Sequence, residues 1–287
     1  MKRFDYVVVG GGSAGCTVAS RLSENGEYSV ALLEAGGTHN NPLISIPCNF
    51  AFTVPKGSHN WSFETVPQPG LNGRIGYQPR GKVLGGSSSI NAMVYIRGAK
   101  EDYDNWQALG NRGWSYEDVL PFFRKAQNRQ KGANEFHGIG GPLSVSPPRS
   151  PNPLNDTFIQ AGVECQIPRN DDFNGATQEG IGFYELTQDN GRRCSTAHAY
   201  LTPAKNRENL TIFKRSIAEK VMIENGRAIA VRAKIDGRAQ IIRANKEVIL
   251  SCGAFQSPQL LLLSGIGPKS KLEEHKIDQV LELPGVG

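Results

Sequence analysis

Long apolar runs, closely spaced cysteine pairs and blocks of basic residues are all missing from this sequence of 287 residues. The four leucines at 260–263 are far too few to span a membrane, and the short apolar run near the N-terminus is too short for a signal peptide. The densest basic cluster is Arg192-Arg193, and the net charge of +5 is spread along the chain. The charge therefore gives no case for nucleic-acid binding. Cytoplasm is the location that these absences favour.

The cysteines also exclude two kinds of protein. There are five, an odd number, at Cys16, Cys48, Cys165, Cys194 and Cys252. No CxxC pair and no Cys/His metal-ligand spacing occurs, so neither a disulfide framework nor a zinc site is supported. Because 38% of the residues are hydrophobic and 21% are charged, a chain of this length can bury a core without either device.

The first 34 residues have the pattern of a β-α-β unit. Residues 6–9 form a continuous apolar run that suits a strand buried on both faces, and residues 30–33 form a second. Between them, apolar residues recur at helical spacing over 16–22. This pattern predicts two parallel strands joined by a helix.

A glycine motif lies where the first strand meets this helix. Gly10 permits a tight turn, Gly12 lets the backbone approach a pyrophosphate, and Gly15 lets helix and strand pack closely. The helix N-terminus offers free N–H groups to phosphate oxygens. Glu34 ends the second strand, where a carboxylate can accept hydrogen bonds from both ribose hydroxyls. The motif predicts a dinucleotide site, but it does not decide between NAD and FAD.

A second segment, residues 81–104, begins with a run of small residues and continues into Asn91-Ala92-Met93-Val94. Such a run can lie flat against a planar ligand and offer it backbone N–H groups and hydroxyls. A flexible linker is the alternative interpretation. Linkers rarely end in a run as apolar as the one over 90–96, so we favour a ligand-binding segment.

These residues resemble the glucose–methanol–choline (GMC) flavin oxidoreductases. Residues 81–104 are similar to the first signature of that family and residues 253–267 to its second. Two further blocks, 60–74 and 191–201, also resemble family segments, so the likeness covers the whole chain. Within the family the chain is most similar to the N-terminal portion of bacterial choline dehydrogenases and related alcohol dehydrogenases.

The resemblance implies FAD as the cofactor and assigns residues to it. The glycine turn, including Ser13 and Ala14, would hold the pyrophosphate, Glu34 the adenosine ribose, and Val221 the adenine ring. Ile90 stands where some members attach FAD to a histidine, which implies non-covalent FAD. No metal is implied. The residues expected to bind the cofactor are Gly10, Gly12, Ser13, Ala14, Gly15, Glu34, Val83, Ser87, Asn91, Ala92, Met93, Val94 and Val221.

The expected fold is α/β, with a Rossmann-like FAD-binding domain, a β-meander and the start of a substrate domain. Residues 1–150 and 195–287 would form the discontinuous and incomplete FAD-binding domain, and 151–194 would begin the substrate domain. Turn signals at Asn225-Gly226 and Asp236-Gly237 predict meander strands over 219–223, 228–235 and 239–243, with a separate buried strand over 248–250. Helices are expected over 116–126 and 259–263, the second capped by Ser257.

Family members are usually much longer than this chain, so the resemblance implies a C-terminal truncation. The family's catalytic histidine would lie beyond Gly287, leaving no catalytic residue here. Each histidine in the sequence is better interpreted as a surface or loop residue, and the second signature as core packing. The histidines are His39, His59, His137, His198 and His275.

The implied reaction is oxidation of a primary alcohol, choline or an aliphatic alcohol, to the aldehyde by hydride transfer to flavin N5. A quinone or another carrier is the expected electron acceptor, and peripheral attachment to the inner membrane is an alternative location. Without the C-terminal half, we expect weak FAD binding at most. The alternative function is a non-catalytic FAD-binding fragment, or one half of a split enzyme whose other half is a second chain. A nicotinamide-dependent dehydrogenase would have no use for residues 81–104.

Overall fold

The computed structural model describes residues 2–55 and 57–287. They form two compact units, one built from the residues up to Asn91 together with Ser195–Gly287, and one from Ala92–Cys194. The sequence-based boundary at 195 coincides with a unit boundary, whereas residues 92–150 belong to the second unit. The assignment of FAD and substrate binding to separate domains stays a prediction.

The secondary structure confirms a mixed α/β chain. The helices are α1 (Ser13–Leu22), α2 (Pro42–Ser45), α3 (Phe50–Thr53), α4 (Lys100–Ala108), α5 (Tyr116–Ala126), α6 (Pro153–Glu164), α7 (Thr202–Ala204), α8 (Gly253–Leu263) and α9 (Lys269–Glu274). The strands are β1 (Lys2–Val9), β2 (Val30–Leu33), β3 (Phe63–Glu64), β4 (Tyr77–Gln78), β5 (Gln127–Arg129), β6 (Leu143–Val145), β7 (Gln188–Asp189), β8 (Arg192–Arg193), β9 (Leu210–Phe213), β10 (Ser216–Glu224), β11 (Arg227–Ile235), β12 (Arg238–Leu250), β13 (Ile266–Gly267) and β14 (Leu281–Glu282). Short 3₁₀ turns occupy Pro47–Asn49, Pro69–Leu71 and Gly86–Ser89, and a π-helical turn occupies Ala197–Leu201.

The first unit is built on a six-stranded sheet in the order β10-β11-β12-β1-β2-β9. Strands β12, β1, β2 and β9 run parallel, and β10, β11 and β12 pair antiparallel. The predicted β-α-β unit is confirmed, because β1 and β2 are parallel neighbours joined through α1. Their apolar runs are buried on both faces, with Val7, Val8 and Leu32 fully inaccessible to solvent.

Both predicted hairpin turns are present. Asn225, Gly226, Asp236 and Gly237 all have positive φ, which is the conformation that two-residue hairpin turns require. The strand expected separately over 248–250 is wrong: it is the end of one 13-residue strand, β12. No turn intervenes because β12 pairs with β11 along its first part and with β1 along its second.

Two helix predictions had different outcomes. Helix α5 occupies the predicted residues and is capped by Ser115, whose hydroxyl accepts a hydrogen bond from the N–H of Asp118. Helix α8 begins at Gly253 rather than after Ser257. Ser257 lies inside the helix, where its hydroxyl accepts the N–H of Cys252, and the predicted cap at Ser257 is wrong because no side chain among the described residues caps the start of α8.

The second unit contains helices α4, α5 and α6 and two small sheets. Strands β5 and β6 pair in parallel, and β7 and β8 form a hairpin across Asn190-Gly191. Within the described ranges, no helix in the chain is both long and apolar enough to cross a membrane.

Buried charges lie inside the second unit. Arg129 and Glu185 are each 7% exposed, and the Nε of Arg129 donates to both carboxylate oxygens of Glu185 at 2.9 and 3.1 Å. Arg129 also donates to Asp172, which in turn contacts the fully buried His137. Burial acts to raise the pKa of Asp172, but the hydrogen bond from His137 and the charges of His137 and Arg129 outweigh it and hold that pKa below its usual value.

We expect Glu185→Gln to lower the free energy of unfolding by about 3 kcal/mol, because it leaves the buried Arg129 guanidinium without its main counter-charge. Chemical denaturation followed by circular dichroism measures the change. Asp171→Asn is the matched control, since Asp171 pairs with Arg169 on the surface and should cost less than about 0.5 kcal/mol. Equal effects of the two substitutions would contradict this account.

Candidate cofactor-binding site

The glycine turn between β1 and α1 is packed too tightly for side chains at two of its positions. A Cβ on Gly15 would lie 1.8 Å from the carbonyl oxygen of Gly10. A Cβ on Gly10, which has φ +96°, would lie 2.5 Å from the carbonyl oxygen of Ser251. These contacts let α1 and the end of β12 come close to the end of β1.

Gly12 differs from the other two glycines because a side chain there would meet only ordinary van der Waals contacts. A Cβ there would have no atom nearer than 3.8 Å. Gly12 also stands at the N-cap of α1 and makes no side-chain cap. The N–H groups of the first helical turn are therefore left for a ligand, and helix N-termini favour anions.

A cavity of about 580 Å³ opens beside this turn in the first unit. Its walls come from the turn, the ends of β1, β2 and β12, the start of β10, helix α8, and parts of the segment 61–87. The volume falls in the usual range for small-molecule sites. Ligands of open parallel sheets bind at the carboxyl ends of the strands, which is where this cavity lies.

Glu34 lies in the cavity wall at the end of β2 and is 6% exposed. Its Oε2 accepts the N–H of Gly11 at 2.8 Å and its Oε1 accepts the N–H of Gly36 at 2.7 Å. Burial raises the pKa of Glu34 to about 7, while these two hydrogen bonds and the charge of Lys82 oppose the rise. Each oxygen can accept one more hydrogen bond, so the carboxylate is oriented for a ligand with two hydroxyls.

The small residues of segment 81–87 pack against the glycine turn. A Cβ on Gly86 would lie 2.8 Å from the Cα of Gly12, and the N–H of Gly85 donates to the carbonyl oxygen of Gly11 at 2.7 Å. Ser87 lines the cavity and its hydroxyl accepts the N–H of Gly81. The two glycine-rich segments recognised in the sequence are therefore neighbours in the first unit.

The residues expected to bind a cofactor do not all lie in the cavity wall. Gly10, Gly12, Ser13, Ala14, Glu34 and Ser87 line it. Gly15 is buried behind the turn, and Val83 is fully buried in a small cluster with Ile44 and Ile90.

The remaining expected residues follow in the chain. Asn91 is exposed and donates its N–H to the carbonyl oxygen of Ser87 at 2.9 Å. Ala92, Met93 and Val94 begin the second unit. Met93 is buried there with φ +65°, and its carbonyl oxygen accepts the N–H of Thr187.

Val221 does not line the cavity. Its side chain belongs to the core of the sheet, and its N–H donates to the Ser264 hydroxyl at 2.8 Å. The part of β10 in the cavity wall is Ser216, Ile217 and Ala218. The strand is the one expected, but the residues that face the cavity lie three or more positions earlier.

Sequence reasoning missed several wall residues. Arg80 and Trp61 line the cavity, and so do Ser251, Cys252 and seven residues of α8, which are Gly253, Ala254, Gln256, Ser257, Gln259, Leu260 and Leu263. The second signature therefore contributes to the cavity as well as to the core. The position of α8 beside the cavity could have been predicted, because this helix directly follows the carboxyl end of a buried strand, where ligands of such sheets bind.

None of the five histidines, all of them among the described residues, lines the cavity. His137 is buried within the second unit, and the Nε2 of His39 pairs with the hydroxyl of Thr202. Across residues 2–55 and 57–287, no cluster of His, Cys, Asp and Glu could hold a metal ion.

Alanine substitutions at two glycines should separate folding from ligand access. Gly15→Ala should lower the free energy of unfolding by about 3 kcal/mol, because its methyl group overlaps the carbonyl of Gly10. Gly12→Ala should lower it by only about 0.5–1 kcal/mol, the usual cost of alanine in place of glycine at an N-cap, because its backbone is extended and the methyl group would meet only ordinary van der Waals contacts. Denaturant titration of both variants measures this, and a Gly15→Ala protein as stable as the wild type would contradict the geometry.

Comparison with known proteins places the chain in a family. Oxygen-dependent choline dehydrogenases from Sinorhizobium fredii and Photobacterium profundum are each 46% identical over 283 and 286 residues, which is 99% of this chain and 51% and 50% of theirs. The chain thus spans about half the length of the curated relatives it matches.

Solved structures give the same result. Pyridoxine 4-oxidase from Mesorbium loti superposes with a TM-score of 0.93 at 34% identity, covering 98% of this chain and 55% of that one. An FAD-dependent oxidoreductase from Chaetomium thermophilum superposes with a TM-score of 0.92 at 31% identity, covering 99% and 51%. The family model described as GMC oxidoreductase matches residues 4–287. The glycine turn, Glu34 and the cavity between them are therefore parts of a chain that belongs to the GMC oxidoreductase family.

Proposed function

We propose that this chain forms the FAD-binding part of a flavin-dependent oxidoreductase that converts a primary alcohol, choline or an aliphatic alcohol, to the aldehyde. The observation that carries the proposal is the cavity at the glycine turn, with Glu34 in its wall and a helix N-terminus at its side. Family membership and the FAD-dependent structural neighbour support a flavin cofactor. The choline dehydrogenase relatives support the substrate class.

The residues present fit such a dinucleotide. Gly12 leaves room for a close approach, and the N–H groups of Ser13 and Ala14 open the first turn of α1 beside it. Glu34 is held by Gly11 and Gly36 so that it can accept two ribose hydroxyls. Ser216–Ala218 would contact the adenine because they line the cavity, and Val221, farther along the same strand, is the residue whose backbone the resemblance assigns to that ring. When bound, the flavin supplies the hydride acceptor.

The flavin end of the site rests on the family resemblance. Val83, Ser87 and Asn91, followed by Ala92, Met93 and Val94, are the residues we assign to it. FAD would be held non-covalently, because Ile90 is a buried apolar residue with no nucleophilic atom. The base that accepts the alcohol proton would be the family's catalytic histidine, which we place outside residues 1–287. General base help of this kind contributes roughly 10²–10⁴-fold.

Two electron acceptors follow from different arguments. Analogy with bacterial dehydrogenases favours a quinone or another carrier, and the names of the choline dehydrogenase relatives include the words oxygen-dependent.

A second function is favoured by the absence of a histidine from the cavity wall of the described residues. The chain would then be a non-catalytic FAD-binding protein, or one half of an enzyme completed by another chain.

Anaerobic addition of an alcohol to the purified protein loaded with FAD separates these functions. A protein in which these residues are joined to the segment that carries the catalytic histidine should lose its visible flavin absorption with choline or an aliphatic alcohol, whereas a binding-only protein should keep it. Precipitation of the same sample with acid tests the attachment of FAD. Free flavin in the supernatant supports non-covalent binding, and flavin in the pellet contradicts it.

FAD affinity should increase as the pH rises through about 7, the value to which burial raises the pKa of Glu34. Below that pH the carboxyl group is protonated, and above it the carboxylate accepts stronger, charge-assisted hydrogen bonds from the ribose hydroxyls. We expect a change of about fivefold between the two states. Fluorescence titration with FAD measures it, and Glu34→Gln should show no such change. A pH-independent affinity in the wild type would contradict the role of Glu34.

A further inference from the structure

Arg80 and Glu34 are the two charged residues that line the cavity within the described ranges. They stand in different parts of the chain, because Glu34 directly follows β2 whereas Arg80 precedes the small residues of segment 81–87. A Cβ on the neighbouring Gly81 would lie 2.2 Å from the carbonyl oxygen of Gly86, and one on Gly86 would lie 2.8 Å from the Cα of Gly12. Arg80 is therefore joined to the part of the cavity wall that packs against the glycine turn.

The backbone of Arg80 is fixed on both sides by residues of one short segment. The side-chain Oδ1 of Asn60 accepts the N–H of Arg80 at 2.9 Å, and the carbonyl oxygen of Arg80 accepts the N–H of Trp61 at 2.8 Å. Asn60 is 6% exposed and its amide donates to the carbonyl oxygen of Val54 at 2.7 Å and to the hydroxyl of Tyr77 at 2.9 Å. This buried amide thus fixes where Arg80 enters the cavity wall.

The side chain of Arg80 lies over an aromatic ring of α8. Its guanidinium carbon is 4.2 Å from the ring centroid of Phe255, and its Nη1 donates to the carbonyl oxygen of Pro79 at 2.6 Å. Phe255 packs edge-on against Phe63, which stacks on Trp61. Within residues 2–55 and 57–287, the Nε and Nη2 atoms of Arg80 make no hydrogen bond, and the residue pairs with no carboxylate.

We infer that Arg80 binds the diphosphate of the cofactor, and that Asn60 and Phe255 are positioning residues that hold it there; this inference rests on the proposed function. The helix N-terminus offers N–H groups and partial charge, but a diphosphate carries full negative charges that prefer a cation. A guanidinium with two free donor atoms can bond two phosphate oxygens at once. Stacking on Phe255 orients those donors and limits the entropy lost on binding.

Fluorescence titration with FAD, and competition by ADP and by adenosine, test the inference on the purified protein. Titrations at about pH 8.5 keep Glu34 ionised, since its pKa lies at about 7. Arg80→Gln should weaken FAD and ADP binding about ten- to a hundredfold, the usual effect of losing hydrogen bonds to a charged group. Adenosine binding should stay within about threefold, because adenosine has no phosphate to lose. Arg80→Lys should recover part of the ADP affinity.

Lys82→Gln is the matched control. Lys82 carries the same charge two residues away and lies over the ring of Trp61 at 4.5 Å, but it does not line the cavity. It should change ADP affinity less than about threefold. For the positioning residues, Phe255→Leu should weaken ADP more than adenosine, and Phe255→Tyr should restore it, because only an aromatic face supports the guanidinium.

The outcomes distinguish a failure of the proposed function from a failure of the inference about Arg80. A wild-type protein that binds no FAD, even at concentrations high enough to detect the weak binding expected of these residues alone, would overturn the proposed function. If the wild type binds FAD, equal ADP affinity in Arg80→Gln would overturn the inference about Arg80 alone. Equal losses of ADP and adenosine in Arg80→Gln would also overturn it, because they indicate a general disturbance of the cavity. The Arg80→Lys variant, checked by circular dichroism, keeps the test decisive if Arg80→Gln fails to fold.

Discussion

Backbone contact without intervening side chains is the constraint on which the rest of this site depends. The carbonyl oxygen of Gly10 lies where a Cβ of Gly15 would be, and the Cβ position of Gly10 is closed by Ser251. These contacts bring β1, α1 and the end of β12 together at one point. Because the chain has no side chains there, Gly12 can leave its own space open for a ligand. The glycines serve two purposes. Gly10 and Gly15 leave no room for a Cβ and let the backbone segments touch, whereas Gly12 has room beside it for a ligand.

The backbone of the glycine turn also helps to position the acidic residue of the cavity wall. Gly11 and Gly36 each donate an N–H to Glu34, so the turn that would meet the phosphates also orients the acid at the end of β2. Asn60 and Phe255 hold Arg80, the other charged residue of the cavity wall. Among the described residues, the wall therefore carries one acid and one base.

Local features of the fold could be predicted from the sequence, because strand and turn patterns depend on neighbouring residues. The β-α-β unit, the Asn225-Gly226 and Asp236-Gly237 turns and helix α5 are found as expected. The continuity of β12 could not be predicted in this way, since its partner changes from β11 to β1 along its length. The residues of the cavity wall could not be predicted in this way either, because they are brought together by tertiary packing. Arg80 and Ser216–Ala218 line the cavity, whereas Val221, three residues after Ala218, is buried in the core.

The most direct test of the account is FAD binding by Gly12→Ala, because this variant fills the space at the glycine turn without disturbing the contacts of Gly10 and Gly15. Calorimetric titration of the folded variant and of the wild type measures the difference. The account expects the wild type to bind FAD and the variant to bind it at least about tenfold more weakly, since the added methyl group would lie where we propose that the pyrophosphate approaches. Equal affinity of a folded Gly12→Ala protein would show that the dinucleotide does not use this turn.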